Sequence, residues 1–310
     1  MCPLPNLQDI LCPEEIEYLL SEAVDWKCAG DYNHEGKQFI EFVALTGYKD
    51  EDYEVDKKGK PLLCRKIPVH QASGYLTRGV CDPDIHELFK IYNRFDVNYI
   101  DSESGLTHFH VAYMSGCDGT VRKFLKLGQD PNFVVQKTGD SPLHLALMYD
   151  HIDVVQLLLR RGADPNLAHA DELTPLHILG MYGHGGDIAQ MLFEISIGKY
   201  QPVDAQDKLG HTTLHVALSY EGAHLAKYLI IKGANLNLSD AERSTPLHLI
   251  CPRPITRRNN DRNYLVKLFF NLNYDKHQFV SIDAKDKLDR TALHLAARSE
   301  QKSNFYPPSV

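Results

Sequence analysis

Apolar residues in this chain recur at helical spacing in short blocks, and the blocks come in pairs. A first block such as Leu143, Leu145, Ala146 and Leu147 is followed by a second such as Val154, Val155, Leu157, Leu158 and Leu159. Neither block is long enough to stand as an independent helix, so the pattern predicts helix pairs that bury their apolar faces by stacking on neighbouring pairs. The phrase that opens the first block recurs as Thr107-His108-Phe109-His110, Ser141-Pro142-Leu143-His144, Thr174-Pro175-Leu176-His177, Thr212-Thr213-Leu214-His215, Thr245-Pro246-Leu247-His248 and Thr291-Ala292-Leu293-His294. Ile67-Pro68-Val69-His70 is a weaker copy. The histidines are spaced 40, 34, 33, 38, 33 and 46 residues apart, a unit of ~33 with insertions in some copies.

Each part of the phrase has a physical task. The Thr or Ser hydroxyl can cap the first turn by accepting an orphan N–H. Proline fits the first helical position, where no donor is missed. The second helix ends on glycine, as at Arg161-Gly162-Ala163-Asp164, where a left-handed residue is wanted. Turns such as Asp207-Lys208-Leu209-Gly210 then lead to the next cap. The turn glycine is present at Gly105, Gly139 and Gly210, but Glu172, Arg243 and Asp289 stand in its place elsewhere. Those turns are expected to manage without a residue free to take positive φ.

The first 55 residues do not follow this period. Glu14 and Glu15 after Pro13 suit a helix N-terminus, and Ile16, Leu19, Leu20 and Ala23 share one face. Phe39, Phe42 and Val43 form a second stripe. Residues 1–55 therefore read as an acidic capping segment, with a separate docking helix for a partner as the alternative. Residues 56–300 form the repeat domain of six to seven units, degenerate at its first copy and incomplete at its last, and 301–310 a disordered tail. The last copy stops after its first helix, as in a fragment of a longer array or an array without a C-terminal cap.

Charge narrows the function. Residues 1–60 hold six Lys against 14 Asp and Glu, and the remaining 250 hold 27 of each sign. Nucleic-acid binding rests on clustered cations, so it is not expected. No apolar run is long enough for a membrane span, and the N-terminus has no signal segment, which points to the cytoplasm or the nucleus. Seven cysteines without a Cys-x-x-Cys pair argue against a zinc ribbon and a disulfide framework, and they read as reduced thiols, mostly buried. His108 and His110 could begin a metal site, but no third ligand stands at suitable spacing. Neither a Gly-x-Ser-x-Gly elbow nor a Walker sequence is present. No cofactor, metal or catalytic residue is expected.

The phrases Asp-x-x-Gly-x-Thr-Pro-Leu-His and Gly-Ala-Asp-x-Asn resemble the ankyrin repeat over residues 56–297. The wording around Phe39 to Gly47 and Gly105 to Asn132 is similar to ankyrin proteins expanded in parasitoid wasps and related insects. The resemblance implies an all-α solenoid of helix-turn-helix units linked by β-hairpin-like turns. It implies that His110, His144, His177, His215, His248 and His294 hydrogen-bond within the frame, and that another protein is the partner of a monomeric, non-enzymatic scaffold or adaptor. Two other roles of such arrays come with it. One is substrate recognition for a ubiquitin ligase, with an F-box-like module absent here, and the other is inhibition of a Rel-type transcription factor.

Two features are candidates for partner binding. Met148-Tyr149, Met181-Tyr182 and Ser219-Tyr220 stack in register at the end of the first helix, which in the ankyrin family lines the concave face. These rings serve either as an interface, where Tyr and Met are at home, or as packing against the adjacent first helix. The second is Arg257 and Arg258, in the insertion that runs from Cys251 to Arg262 and is the most basic stretch of the chain.

Overall fold

The computed structural model describes residues 4, 6–26, 34–50, 64–182, 186–195, 203–220, 222–251, 265–267, 269–270 and 279–303. Among them the regular elements are helices, with isolated β-bridges in place of strands. None is long and apolar enough to cross a membrane. The chain divides into two compact units, Met1–Asp164 and Pro165–Val310.

The first unit is a stack of helix pairs. Its helices are α1 (Pro13–Trp26), α2 (His34–Leu45), α3 (Pro68–Ser73), α4 (Pro83–Ile91), α5 (His108–Met114), α6 (Asp118–Lys126), α7 (Pro142–Met148) and α8 (Ile152–Arg160). The inner row runs α1, α3, α5, α7, each packed on the next, and the outer row joins α2 to α4 and α6 to α8. Residues 13–45 thus extend the rows of the repeats, although they carry none of the repeat wording. Ile16, Leu20, Ala23, Ile40 and Val43 are buried. A Cβ on Gly36 would lie 2.4 Å from the Ala23 carbonyl oxygen, so only glycine lets α2 approach α1 this closely. Phe124 of α6 stacks on Phe109 of α5 at 4.5 Å and meets Phe95 at 4.9 Å.

The second unit contains α9 (Pro175–Tyr182), α10 (Gly186–Ile195), α11 (Thr213–Ser219), α12 (Ala223–Ile231), α13 (Pro246–Ile250) and α14 (Ala292–Ser303). Its inner row is α9, α11, α13, α14, and α10 packs on α12. The last helix runs three residues into the stretch expected to be a tail, and residues 304–310 lie outside the described ones.

In five of the phrases the histidine joins its own helix cap to the next turn. The Thr107 N–H donates to His110 Nδ1 at 3.0 Å, and His110 Nε2 donates to the Phe133 carbonyl at 2.8 Å. An Nδ1 that accepts fixes the proton on Nε2. Corresponding onward bonds run from His70 to Tyr99 at 3.2 Å, His177 to His211 at 3.2 Å, His215 to Ser244 at 3.1 Å and His248 to Arg290 at 3.1 Å. His70 makes the full set although Ile67 replaces the hydroxyl cap. His108 stands where four of the other six copies have proline, wholly buried, and its Nδ1 accepts the Tyr99 N–H at 3.0 Å.

The turns between repeats correct one expectation. Gly105, Gly139 and Gly210 have φ of 76°, 75° and 76°, and Glu172, Arg243 and Asp289 take the same left-handed conformation at 63°, 59° and 56°. These turns do not avoid positive φ. They force it on residues with a Cβ, because the residue three earlier accepts their N–H: Glu172 to His169 at 2.9 Å, Arg243 to Asp240 at 2.9 Å and Asp289 to Asp286 at 3.0 Å. Left-handed backbone costs a residue with a Cβ about 1–2 kcal/mol.

Replacing Glu172 and Arg243 by glycine is therefore expected to stabilise the protein by about 0.5–1 kcal/mol each, after the added freedom of the unfolded chain is discounted. Asp289→Gly should gain less, since aspartate tolerates this region better. A lower urea midpoint in the glycine variants would contradict the assignment.

Acid sensitivity follows from the buried rings. Burial lowers the pKa of His108 to about 3 and those of His70 and His110 to about 4. It also lowers those of His151, His177 and His215. The unfolded chain takes up these protons near pH ~6.5 and the folded chain only well below it. This stability is complete above the unfolded value and is lost as pH falls from there towards about 4. Urea titrations at stepped pH should show about three protons or more taken up on unfolding near pH ~5. A flat profile between pH ~6.5 and ~4.5 would sink this account.

Candidate functional site

In the first unit the ends of the inner helices and the tips of the turns enclose a groove of about 860 Å³. Its lining includes Asp25, Lys66, Tyr75, Glu103, Met114 and Tyr149. Each has a structural reason to be there. Asp25 lies near the C-terminal end of α1, and its Oδ1 accepts the Tyr75 hydroxyl at 3.1 Å. Tyr75 and Tyr149 stand just past the ends of α3 and α7, and Met114 is the last residue of α5, only 6% exposed. Lys66 precedes α3, and its Nζ donates to Glu103 Oε2 at 2.6 Å across two neighbouring turns. Lys137 donates to the Glu103 carbonyl from the following turn.

The loop between α3 and α4 departs from the other repeats. It spans residues 74–82, and the Gly79 N–H donates to the Tyr149 carbonyl at 2.8 Å, two repeats onward. On the way Cys81 Sγ lies 3.2 Å from the Ser115 carbonyl oxygen. This loop closes one side of the groove. Below it, Gly116 has φ 71° and leaves room for His151, whose Nε2 donates to the Met114 carbonyl at 2.8 Å.

Of the residues singled out from sequence, Met148 and Tyr149 are half-buried in the first unit. In the second unit Met181 is half-buried, Tyr182 is 37% exposed at the end of α9, and Tyr220 is 56% exposed as the C-cap of α11. Arg257 and Arg258 lie outside the described residues. His110, His144, His177, His215 and His248 are buried in the frame, and His294 is exposed. Sequence reasoning did not find Asp25, Lys66 and Glu103. They sit in a non-repeat helix and at turn tips, and no period links them.

The expected thiol burial is corrected. Cys12, Cys64 and Cys81 are exposed, Cys251 is half-buried, and Cys117 alone among the described cysteines is buried. The exposed thiols lie just before a helix or in connecting segments, where the apolar spacing says nothing about burial. Cys2 and Cys28 lie outside the described residues. Among those residues no group of three or more His, Cys, Asp and Glu is arranged to hold a metal. His108 and His110 are two residues apart on α5, which turns their rings to nearly opposite faces.

The helix carrying Asp25 is tied to the repeats by an arginine as well as by the Tyr75–Asp25 bond and by Gln71, whose Nε2 donates to the Ser21 carbonyl at 3.2 Å. Arg65 Nη1 donates to Asp50 Oδ2 at 2.9 Å, and its Nη2 reaches Asp50 Oδ1 at 3.2 Å and Glu17 Oε2 on α1. The Asp50 N–H donates to the Ile91 carbonyl at the end of α4. The guanidinium lies 5.6 Å from the centre of the Tyr99 ring.

The family model for ankyrin repeats (3 copies) matches residues 77–169 and 162–240. An ankyrin repeat protein of Rickettsia bellii (strain RML369-C) is 32% identical over 75 residues, 24% of this chain and 21% of that protein. An ankyrin repeat protein of fowlpox virus (strain NVSL) is 36% identical over 66 residues, 21% of this chain and 33% of that one. The chain thus spans a third or less of the length of these curated relatives.

Arg65→Met should cost about 3 kcal/mol, because it removes both ion pairs while Asp50 stays buried. The loss should fall first on α1, seen as faster amide hydrogen exchange over Pro13–Trp26. Unchanged exchange there would mean that the apolar contacts and the bonds from Tyr75 and Gln71 dock the helix without the arginine.

Proposed function

The chain belongs to the ankyrin-repeat family, and from that premise we propose that it recognises a partner protein through the inner-helix ends and turn tips of its repeats. Ankyrin repeats are generally protein–protein interaction modules and their proteins typically non-enzymatic binding scaffolds. The observation that carries the reading is the tyrosine just after, or at the end of, an inner helix. Tyr75 and Tyr149 stand there in the first unit and Tyr182 and Tyr220 in the second. The second-unit rings stay exposed while Leu179 and Leu218 of the same helices are buried. A tyrosine offers a large rigid apolar face with a polar tip at low entropic cost, which suits an interface better than a core. Arg257 and Arg258 form a second contact in this reading, and the protein acts as a monomeric adaptor.

A photo-crosslinking amino acid placed at 149, 182 or 220 of the full chain, in lysate of the source cells, tests this. The same partner should be trapped from these positions and not from Gln190 on the exposed side of α10. The triple substitution Tyr149→Ala, Tyr182→Ala, Tyr220→Ala should weaken its binding at least 100-fold, at about 1–2 kcal/mol per ring. Equal capture by the triple variant, with cross-links from Gln190, would refute the concave face. Loss with Arg257→Ala and Arg258→Ala alone would move recognition to the insertion.

A further inference from the structure

The groove of the first unit differs in sign from its surroundings in the rest of the chain. Residues 1–164 hold 26 Asp and Glu against 17 Lys and Arg, so the excess acid of the whole molecule lies in this unit. The groove concentrates it. Asp25 and Glu103 are exposed at its rim and Asp101 lies in its wall, against Lys66 as the one cation of the lining, with the Lys137 ammonium at the Glu103 carbonyl just outside it. Asp101 stays ionised. Burial works against its charge, but the Ser104 hydroxyl and the N–H groups of Glu103 and Ser104 hold its pKa below the usual carboxylate range. His70 also faces the groove and adds no positive charge at neutral pH, because burial lowers its pKa to about 4.

Of the remaining lining, Gln71, Ser73 and Ser104 are polar, and the rest is Gly74 with the apolar or aromatic side chains of Tyr75, Leu106, Met114 and Tyr149. Met114, only 6% exposed, contributes to the lining from the end of α5, and Tyr75 and Tyr149 from just past the ends of α3 and α7. The groove is bounded where an ordinary repeat face is open, on one side by α1 through the bond between Tyr75 and Asp25 and on another by the 74–82 loop through the bond between Gly79 and Tyr149. Its volume suits a few residues of extended chain rather than a folded surface.

The protein's own lysine already tests the chemistry. The Lys66 ammonium, on a side chain 50% exposed, lies against Glu103, with Asp101 and Asp25 as its further charged neighbours. The rim thus already pairs one ammonium with a carboxylate. Glu103 keeps a second carboxylate oxygen, and Asp25 gives only one of its oxygens to Tyr75.

We propose that this groove takes an extended segment of a partner protein in which a lysine or arginine is flanked by apolar side chains, the cation seated between Asp25 and Glu103 and an apolar neighbour on Met114. The proposal rests on the protein-binding reading above. It excludes phosphate-bearing and acidic segments, which the three carboxylates repel. Lys66 competes with the incoming cation, so its removal strengthens binding.

The test uses the full chain with ¹³C-labelled methionine methyl groups. Three blocked hexapeptides are titrated, alternating leucine with arginine, glutamine or glutamate. The arginine peptide should shift the Met114 signal and leave Met191 on α10 unmoved. Its affinity should fall about three- to fivefold in Asp25→Asn and in Glu103→Gln, and rise by a similar factor in Lys66→Met. All three positions are exposed, so the fold is kept, and unchanged amide hydrogen exchange over α1, α3 and α5 of each peptide-free variant checks it. Equal binding of the glutamine or glutamate peptide at Met114 overturns the cation assignment and leaves protein recognition standing. An unmoved Met114 with all three peptides overturns the groove as the docking place, whatever the cross-linking at 182 and 220 finds. A Lys66→Met variant that binds the arginine peptide no more tightly than the wild type also overturns the proposal.

Discussion

In five of the repeats the frame depends on one imidazole that faces two ways, at His70, His110, His177, His215 and His248. At His110 the Nδ1 atom accepts from the cap of its own helix, and Nε2 donates to the carbonyl of Phe133 in the following turn. The first bond is local and sets where the helix begins. The second is an inter-repeat bond and sets how far the next repeat sits. The first is buried and the second part-buried, so a ring lost at this position strands the Thr107 N–H away from water, which costs more than the bond itself is worth. Stability in such an array comes from terms within a repeat and between neighbours, and here one side chain carries a part of both. The arrangement demands a neutral ring of one tautomer, and burial supplies it.

That is why so much of the fold was legible. A residue with two fixed partners one repeat apart must recur at the repeat spacing, and the caps and helix stops recur with it. The turns were less legible, because the absence of glycine at Glu172, Arg243 and Asp289 suggested a different backbone. The backbone is the same because other groups hold it. Asp240 Oδ1 accepts the N–H groups of Glu242 and Ser244, and Asp286 Oδ1 accepts those of Leu288 and Arg290. His169 Nδ1 does the equivalent for the Asp171 N–H. With the chain clamped on both sides, the residue at the left-handed position has no alternative, and the strain is carried by its neighbours' bonds.

The groove was legible only in part. The tyrosines and Met114 could be counted from the phrase histidines, since the fold repeats them. Asp25, Lys66 and Glu103 could not, because their meeting depends on how a non-repeat helix docks. The docking depends in turn on Arg65, which pairs with Glu17 at a separation of 48 residues and with Asp50 at 15. Charges at unrelated spacings leave no periodic trace. The same holds for the reach of Gly79 to Tyr149 across an intervening repeat, and for the exposed thiols in the connecting segments.

His70 connects the frame to the sign of the groove. It is 4% exposed, joins the first repeat to the Tyr99 carbonyl, and also lines the groove near Asp101. A proton on this ring would take from Nδ1 its ability to accept the Ile67 N–H, and would place a cation beside the carboxylates at the same time. The desolvation that keeps it neutral therefore serves both tasks. An acidic face could be built on a repeat array from surface residues alone, but it would then hold its charge independently of the stack. Here the stack and the charge share a residue, so the groove stays acidic only while the first repeat is properly docked on the second.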